Sequence, residues 1–196
     1  VVGPKFQPSR NTVSECYIQI IKDLTNAIPL LKAAKNPGKI NRWGAKTLLS
    51  RVYLYKGDNA NALIQAEEAI TGALANAYRL WTNAEIGTTT AAWSIKSSPE
   101  VLFEVVNNSG DRTGNEGIAY LMKQGGYDDI VLTSAYLTLL ESDPLDVRIK
   151  LIKVESGSVF NKTRKVYLMK YTSGLSTDTD VRNGNITVLR LSEAYL

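Results

Sequence analysis

Histidine is absent from the 196-residue sequence, and cysteine occurs once, at Cys16. The first absence removes the commonest general base and the commonest transition-metal ligand, so no Ser-His or Cys-His hydrolytic centre can be built from this chain. The second excludes an internal disulfide and any multi-cysteine zinc site. Cys16, within ECYIQII, reads as a small, buried or half-buried helical side chain, and no cofactor is expected. No apolar run approaches the roughly 18 residues of a membrane-crossing helix, and the opening VVGPKFQPSR has no apolar signal-peptide core. Clustered charge is missing too. The net charge is +4, and the densest basic stretch, residues 162 to 170, alternates with apolar residues as an exposed strand would, so nucleic acid is not an expected partner.

What remains is 44% hydrophobic and 21% charged, ordinary for a globular chain long enough to bury a core. Its organising stretch is residues 40 to 71, INRWGAKTLLSRVYLYKGDNANALIQAEEAIT. Asn41 can cap a first helix whose Ala45, Leu48, Leu49, Val52 and Tyr53 share one face. Gly57 can turn left-handed and Asp58 can cap a second helix. Ala62, Ala66 and Ala69 line one side of that helix, with Leu63 and Ile70 beside them. Small residues let two helices approach closely, so the spacing predicts an antiparallel, tetratricopeptide-like hairpin.

Ahead of the hairpin, Thr12-x-x-Glu15 forms a capping box. Tyr17, Ile20, Ile21, Leu24, Ile28 and Leu31 follow at helical spacing until Pro29 kinks or ends the helix. Asn36-Pro37-Gly38 is a breaker. From Gly72 to Pro99 the pattern dissolves. Residues 100 to 106 read as a strand, and residues 107 to 126 as a long Gly- and Asn-rich loop interrupted by an apolar run at 118 to 122. Ser134 can cap a short helix that stops at Asp143-Pro144. Arg148 to Val154 and Lys165 to Tyr171 alternate as two strands of a hairpin. Residues 173 to 185 are a polar loop, and 186 to 196 (ITVLRLSEAYL) are read as turning helical, in apolar stride to the last residue. The expected fold is mainly α: a helical repeat region over 12–75, a loop-rich region with short strands over 76–185, and the start of a further helix over 186–196, all in a single domain.

Three stretches, in matching order, resemble the SusD/RagB family of outer-membrane nutrient-binding lipoproteins. They are ECYIQIIKDLTNAIPLL with the hairpin AKTLLSRVYLYKGDNANALIQAEEAI; Ser98-Pro99-Glu100-Val101-Leu102-Phe103-Glu104 with the Asp143-Pro144…Arg148 echo; and Lys170-Tyr171 with VLRLSEAYL. The insertion of Leu145-Asp146-Val147 between Pro144 and Arg148 departs from the family pattern. The resemblance implies a middle-to-late fragment of a protein whose lipid-modified N-terminal cysteine lies outside this sequence. It implies a non-enzymatic protein at the cell-surface face of the outer membrane, which captures oligosaccharide and passes it to a SusC-like TonB-dependent transporter. A helical-repeat protein–protein adaptor is the first alternative and a glycan-processing enzyme the second.

A sugar surface needs an aromatic face for the C–H side of a pyranose, flanked by amides and guanidinium groups that bond hydroxyls. Asn107, Asn108, Asp111, Arg112, Asn115, Tyr120 and Tyr127 supply such groups in one loop, and Trp93 is the least constrained tryptophan. The plainer alternative is a solvated loop with its tyrosines packed inward. Trp43 and Trp81 read as packing residues, and Arg51, Arg190 and Glu193 as structural ion-pair partners. Glu100 and Glu104 share a strand face and superficially suggest paired carboxylates for glycoside hydrolysis, which would need both to face a sugar cleft.

Overall fold

The computed structural model describes residues 9–86, 98–112, 114–122, 127, 129–155, 165–168 and 184–196. Helix α1, Val13–Ala27, opens where the capping box predicts. The Thr12 hydroxyl accepts from the Glu15 N–H at 3.2 Å, and the Glu15 carboxylate accepts from the Thr12 N–H at 2.8 Å. Pro29 sits in a 3-10 turn, Ile28–Leu30, that ends it. Tyr17, Ile21, Leu24 and Ile28 form a half-buried stripe, and α1 packs on α2; Cys16, expected to be at least half-buried, is instead exposed, because it lies off that stripe.

Helix α2, Arg42–Lys56, is capped by Asn41, whose Oδ1 accepts from the Gly44 N–H at 2.8 Å. Gly57 at φ 83° ends it, and Asp58 caps α3, Asn59–Ala75, by accepting from the Asn61 N–H at 3.2 Å. The Ser50 hydroxyl donates to the Ala62 carbonyl at 2.7 Å, and Lys46 pairs with Glu68 at 2.5 Å. The residue numbers run in opposite directions on the two helices, so the pair is antiparallel. Ala62, Ala69 and Ala73 are buried between them and the core. The alanine stripe is what allows that approach.

Helix α3 outlasts the dissolution expected at Gly72. That glycine is a close-approach residue: a Cβ built on it would lie 2.1 Å from Cζ3 of Trp43. The absent side chain leaves room for the indole, so a residue that reads as a breaker is a packing site.

Strand β1, Val101–Val105, pairs antiparallel with β4, Ile186–Arg190, through Glu104↔Thr187 and Val105↔Ile186, with an irregularity at Phe103. The expectation that 186–196 is helical throughout is therefore corrected. Ile186, Thr187 and Val188 are β-branched and favour extended backbone, and β1 would otherwise lack a pairing partner. The helix α6 begins only at Leu191 and runs to Ala194. The Leu191 N–H donates to the Glu100 carbonyl at 2.9 Å, which carries the pairing up to the helix.

Between these strands lie α4, Ile118–Met122, and α5, Ser134–Glu141. Thr133 caps α5, one residue before the expected cap, accepting from the Tyr136 N–H at 3.3 Å. A second antiparallel pair joins β2, Ile152–Glu155, to β3, Lys165–Leu168, with Ile152 opposite Leu168 and Val154 opposite Val166. The 3-10 turn Val147–Leu151, capped by Asp146, takes residues 148–151 out of the strand expected over 148–154. The Arg148 guanidinium holds that carboxylate below its usual pKa. The hairpin's turn (156–164) and the polar loop up to residue 183 lie outside the described residues.

The core sits where the helical hairpin meets the β1–β4 layer. Ala73, Tyr78, Leu102, Leu189 and Leu191 are buried there, with Ile40, Trp43, Leu48, Ile70 and Phe103 packed around them. Burying an aliphatic side chain of this size contributes roughly 1.5–3 kcal/mol, so this junction holds the platform and the sheet together. The architecture is mainly α with two small sheets among the described residues.

Candidate functional site

Strand β1 leads directly into the segment singled out for ligand contact, and its end is fixed. Asn107 is buried; its backbone N–H donates to Asn185 Oδ1 at 3.1 Å and its Nδ2 to the Gly184 carbonyl at 2.8 Å. Its amide joins the exit of β1 to the entrance of β4, and burial withholds it from solvent.

The residues that follow form tight turns. Asn108 Oδ1 accepts from the Gly110 N–H at 2.9 Å and the Asp111 N–H at 3.0 Å, an Asx turn that leaves the residue exposed. Arg112 is half-buried and already engaged within the fold. A 3-10 turn, Gly114–Glu116, presents Asn115 and Glu116 on the surface. Helix α4 is anchored by buried Ala119 and carries Tyr120 half-buried beside it.

Here two of the anticipated residues meet. The Tyr127 N–H donates to the Tyr120 carbonyl at 3.2 Å, and the two rings stand edge to face, 5.4 Å apart at 87°. That arrangement sets the positive edge of one ring against the negative face of the other and fixes both orientations. Tyr127 stays 46% exposed, while its hydroxyl donates to Glu116 Oε1 at 3.4 Å. The result is a braced aromatic surface with a carboxylate at its phenol end. Tyr127 is not packed inward, contrary to the plainer alternative. Glu116 was missed by the sequence reading; its only signal was its place beside Asn115. Trp93 lies outside the described residues.

Two other places merit the same scrutiny. Between α2, α3 and α6 lies an open groove of about 460 Å³, lined mainly by Leu54, Tyr55, Leu63, Ala66, Tyr195 and Leu196. On its wall Arg51 and Glu193 form a two-pronged ion pair at 2.5 and 2.6 Å, as expected of structural partners. Behind β1, Tyr78 is buried and accepts from the Asn41 side-chain amide; Lys35 lies over its ring at 4.8 Å. Burial above all, with Glu104 adding to it, pushes the Tyr78 phenol up to about 12. Glu100 and Glu104 are only 3% and 2% exposed, and Arg190 lies 4.0 Å from Glu100. These carboxylates face the interior and offer no cleft to a sugar. The tryptophans read as packing residues do pack: Trp43 against the core, and Trp81 with Arg79 over its ring at 5.8 Å. Among the described residues no group of acidic or cysteine side chains could hold a metal ion, and no helix is long and apolar enough to cross a membrane.

Comparison with known proteins bears on which place matters. Residues 3–54 match the family model SusD-like_3, described as starch-binding and associating with the outer membrane. No curated protein matches the chain. A solved structure from Bacteroides vulgatus, provisionally named a sugar binding protein, is 44% identical over 97% of this chain and 41% of its own, with a TM-score of 0.84. A SusD superfamily protein of the same species is 32% identical over 99% of this chain and 43% of its own, also at 0.84. Another SusD superfamily protein, from Bacteroides thetaiotaomicron, is 32% identical over 98% and 43%, at 0.81. The chain thus spans about two fifths of the length of these structures.

Proposed function

The chain belongs to the SusD-like family, and from that premise we propose that it binds carbohydrate on the surface formed by residues 108–112, 114–122 and 127, without transforming it. The observation that carries this reading is the edge-to-face Tyr120–Tyr127 pair, which holds one ring nearly half exposed on an otherwise anchored segment. A pyranose offers a C–H face that stacks on such a ring. Asn108 and Asn115 stand exposed on neighbouring turns of the same segment; with its Oδ1 taken by two backbone N–H groups, Asn108 offers its Nδ2 as a donor to a hydroxyl. Arg112 belongs to this segment as well, and its half-buried position suits the role of a support better than that of a direct contact.

A binding role without catalysis is supported by the lack of histidine and by the interior placement of Glu100 and Glu104. The wider proposal is capture of oligosaccharide at the outer-membrane surface and delivery to a TonB-dependent transporter. The outer-membrane part draws on the description of the matched family, and the transfer to a transporter on the family resemblance of the sequence, not on a contact in this chain.

The test is calorimetric titration of the chain with a panel of oligosaccharides, followed by Tyr127→Ala and Tyr120→Ala. Loss of a stacking ring should weaken binding about tenfold or more, equivalent to ~1.4 kcal/mol. Unchanged affinity in both variants would remove the site assignment. A second reading, a helix-binding adaptor, is favoured by one observation, the apolar groove between α2, α3 and α6. Titration with amphipathic helical peptides separates the two: an adaptor binds them and ignores the sugars.

A further inference from the structure

We infer that this surface selects uncharged oligosaccharides over uronic or sulfated ones, and that Glu116 is the residue that discriminates; the inference rests on the reading that Tyr127 is the stacking face. The exposed edge of the aromatic surface is not electrically neutral. The Tyr127 hydroxyl donates to Glu116 Oε1 at 3.4 Å, which keeps that carboxylate beside the ring a sugar would cover. Asp129 is brought to the same neighbourhood, because its N–H donates to the carbonyl of Leu121, the residue that follows Tyr120. Both acidic residues are exposed. Arg112, in the same segment, is half-buried and has a partner within the fold.

An ionised carboxylate can only accept hydrogen bonds. A neutral sugar brings hydroxyl donors to it, and these are charge-assisted bonds of the stronger kind. A carboxylated or sulfated sugar brings a second anion to an edge that already carries one. At a separation of a few ångströms in a solvent-exposed site, like-charge repulsion corresponds to roughly tenfold in affinity, ~1.4 kcal/mol. It is screened by added salt, whereas stacking on the ring is not.

The experiment titrates the chain with starch, β-glucan and mannan oligosaccharides, each beside its 6-carboxylated and 6-sulfated counterpart, at low and high salt. The same pairs are repeated with Glu116→Gln, with thermal unfolding confirming that the variant is folded, and with Tyr127→Ala. The readout is the neutral-to-anionic affinity ratio within each pair. A ratio near ten at low salt that falls towards one in Glu116→Gln, and in high salt, supports the inference. A ratio near one in the unaltered chain, or a ratio that Glu116→Gln leaves in place, overturns it, while weakened binding by Tyr127→Ala would keep the stacking site itself. Absence of binding to every sugar by the unaltered chain overturns both.

Discussion

The α2–α3 hairpin and the 107–127 segment make opposite use of aromatic and polar side chains. In the hairpin, Trp43 lies in the space left by Gly72 and packs on the core, and Asn41 is wholly buried, capping a helix with its oxygen and reaching Tyr78 with its nitrogen. In the segment, Tyr127 is braced by a second ring but left open to solvent, and Asn108 closes its own exposed turn. Side chains that are satisfied inside the fold stabilise it and are closed to a ligand. Those held in place at the surface add little stability and stay available. The contrast separates platform from site more sharply than residue type does.

The contrast breaks most easily at its buried polar link. Asn41→Ala removes a helix cap and leaves the Tyr78 hydroxyl buried without its donor. Together these should cost about 2–4 kcal/mol in chemical denaturation. If the two regions are separable, sugar affinity of the folded variant stays within about twofold. Gly72→Ala comes next. The added methyl meets three atoms of the Trp43 ring at 2.1–2.5 Å. Overpacking of about 1–3 kcal/mol outweighs the gain of up to ~1 kcal/mol in helix propensity, so the melting temperature should fall. A rise would show that the indole is free to move aside.

A smaller, pH-confined effect follows from Tyr78. Its folded-state pKa lies near 12 against an ordinary 10.0, so the stabilisation is fully present below pH 10 and lost as pH rises from 10 towards 12. Alkaline denaturation should therefore be steeper in the unaltered chain than in Tyr78→Phe over that window. The smallest effect on stability belongs to Tyr127→Ala, within about 0.5 kcal/mol because nearly half of the residue is exposed. This is the same substitution expected to weaken sugar binding about tenfold. A large loss of stability there would place Tyr127 with the platform.

Much of the platform was legible in the residues themselves. Thr12 and Glu15, Asn41, Gly57 and Asp58 each act on backbone within a few positions of themselves, so their roles can be read without knowing what lies across the fold. The tyrosine-bearing segment was legible as a candidate, but not the difference between its members. Asn107 and Asn108 are adjacent asparagines with identical local appeal. One is buried because Gly184 and Asn185 come to meet it, and the other is exposed. Glu116 gained its significance only when Tyr127 was brought back beside it.

The chain's own pattern thus determined where α1, α2 and α3 begin, where α2 ends and the close fit of the alanine stripe, because those rest on hydrogen bonds and spacings that repeat within one or two turns. Tertiary structure decided the strand at Ile186–Arg190, the helical run of α3 through Gly72, and which of the polar loop residues face water. Each of these depends on a partner dozens of residues away, and a preference as weak as that of a short apolar run is settled by the neighbour that satisfies its backbone.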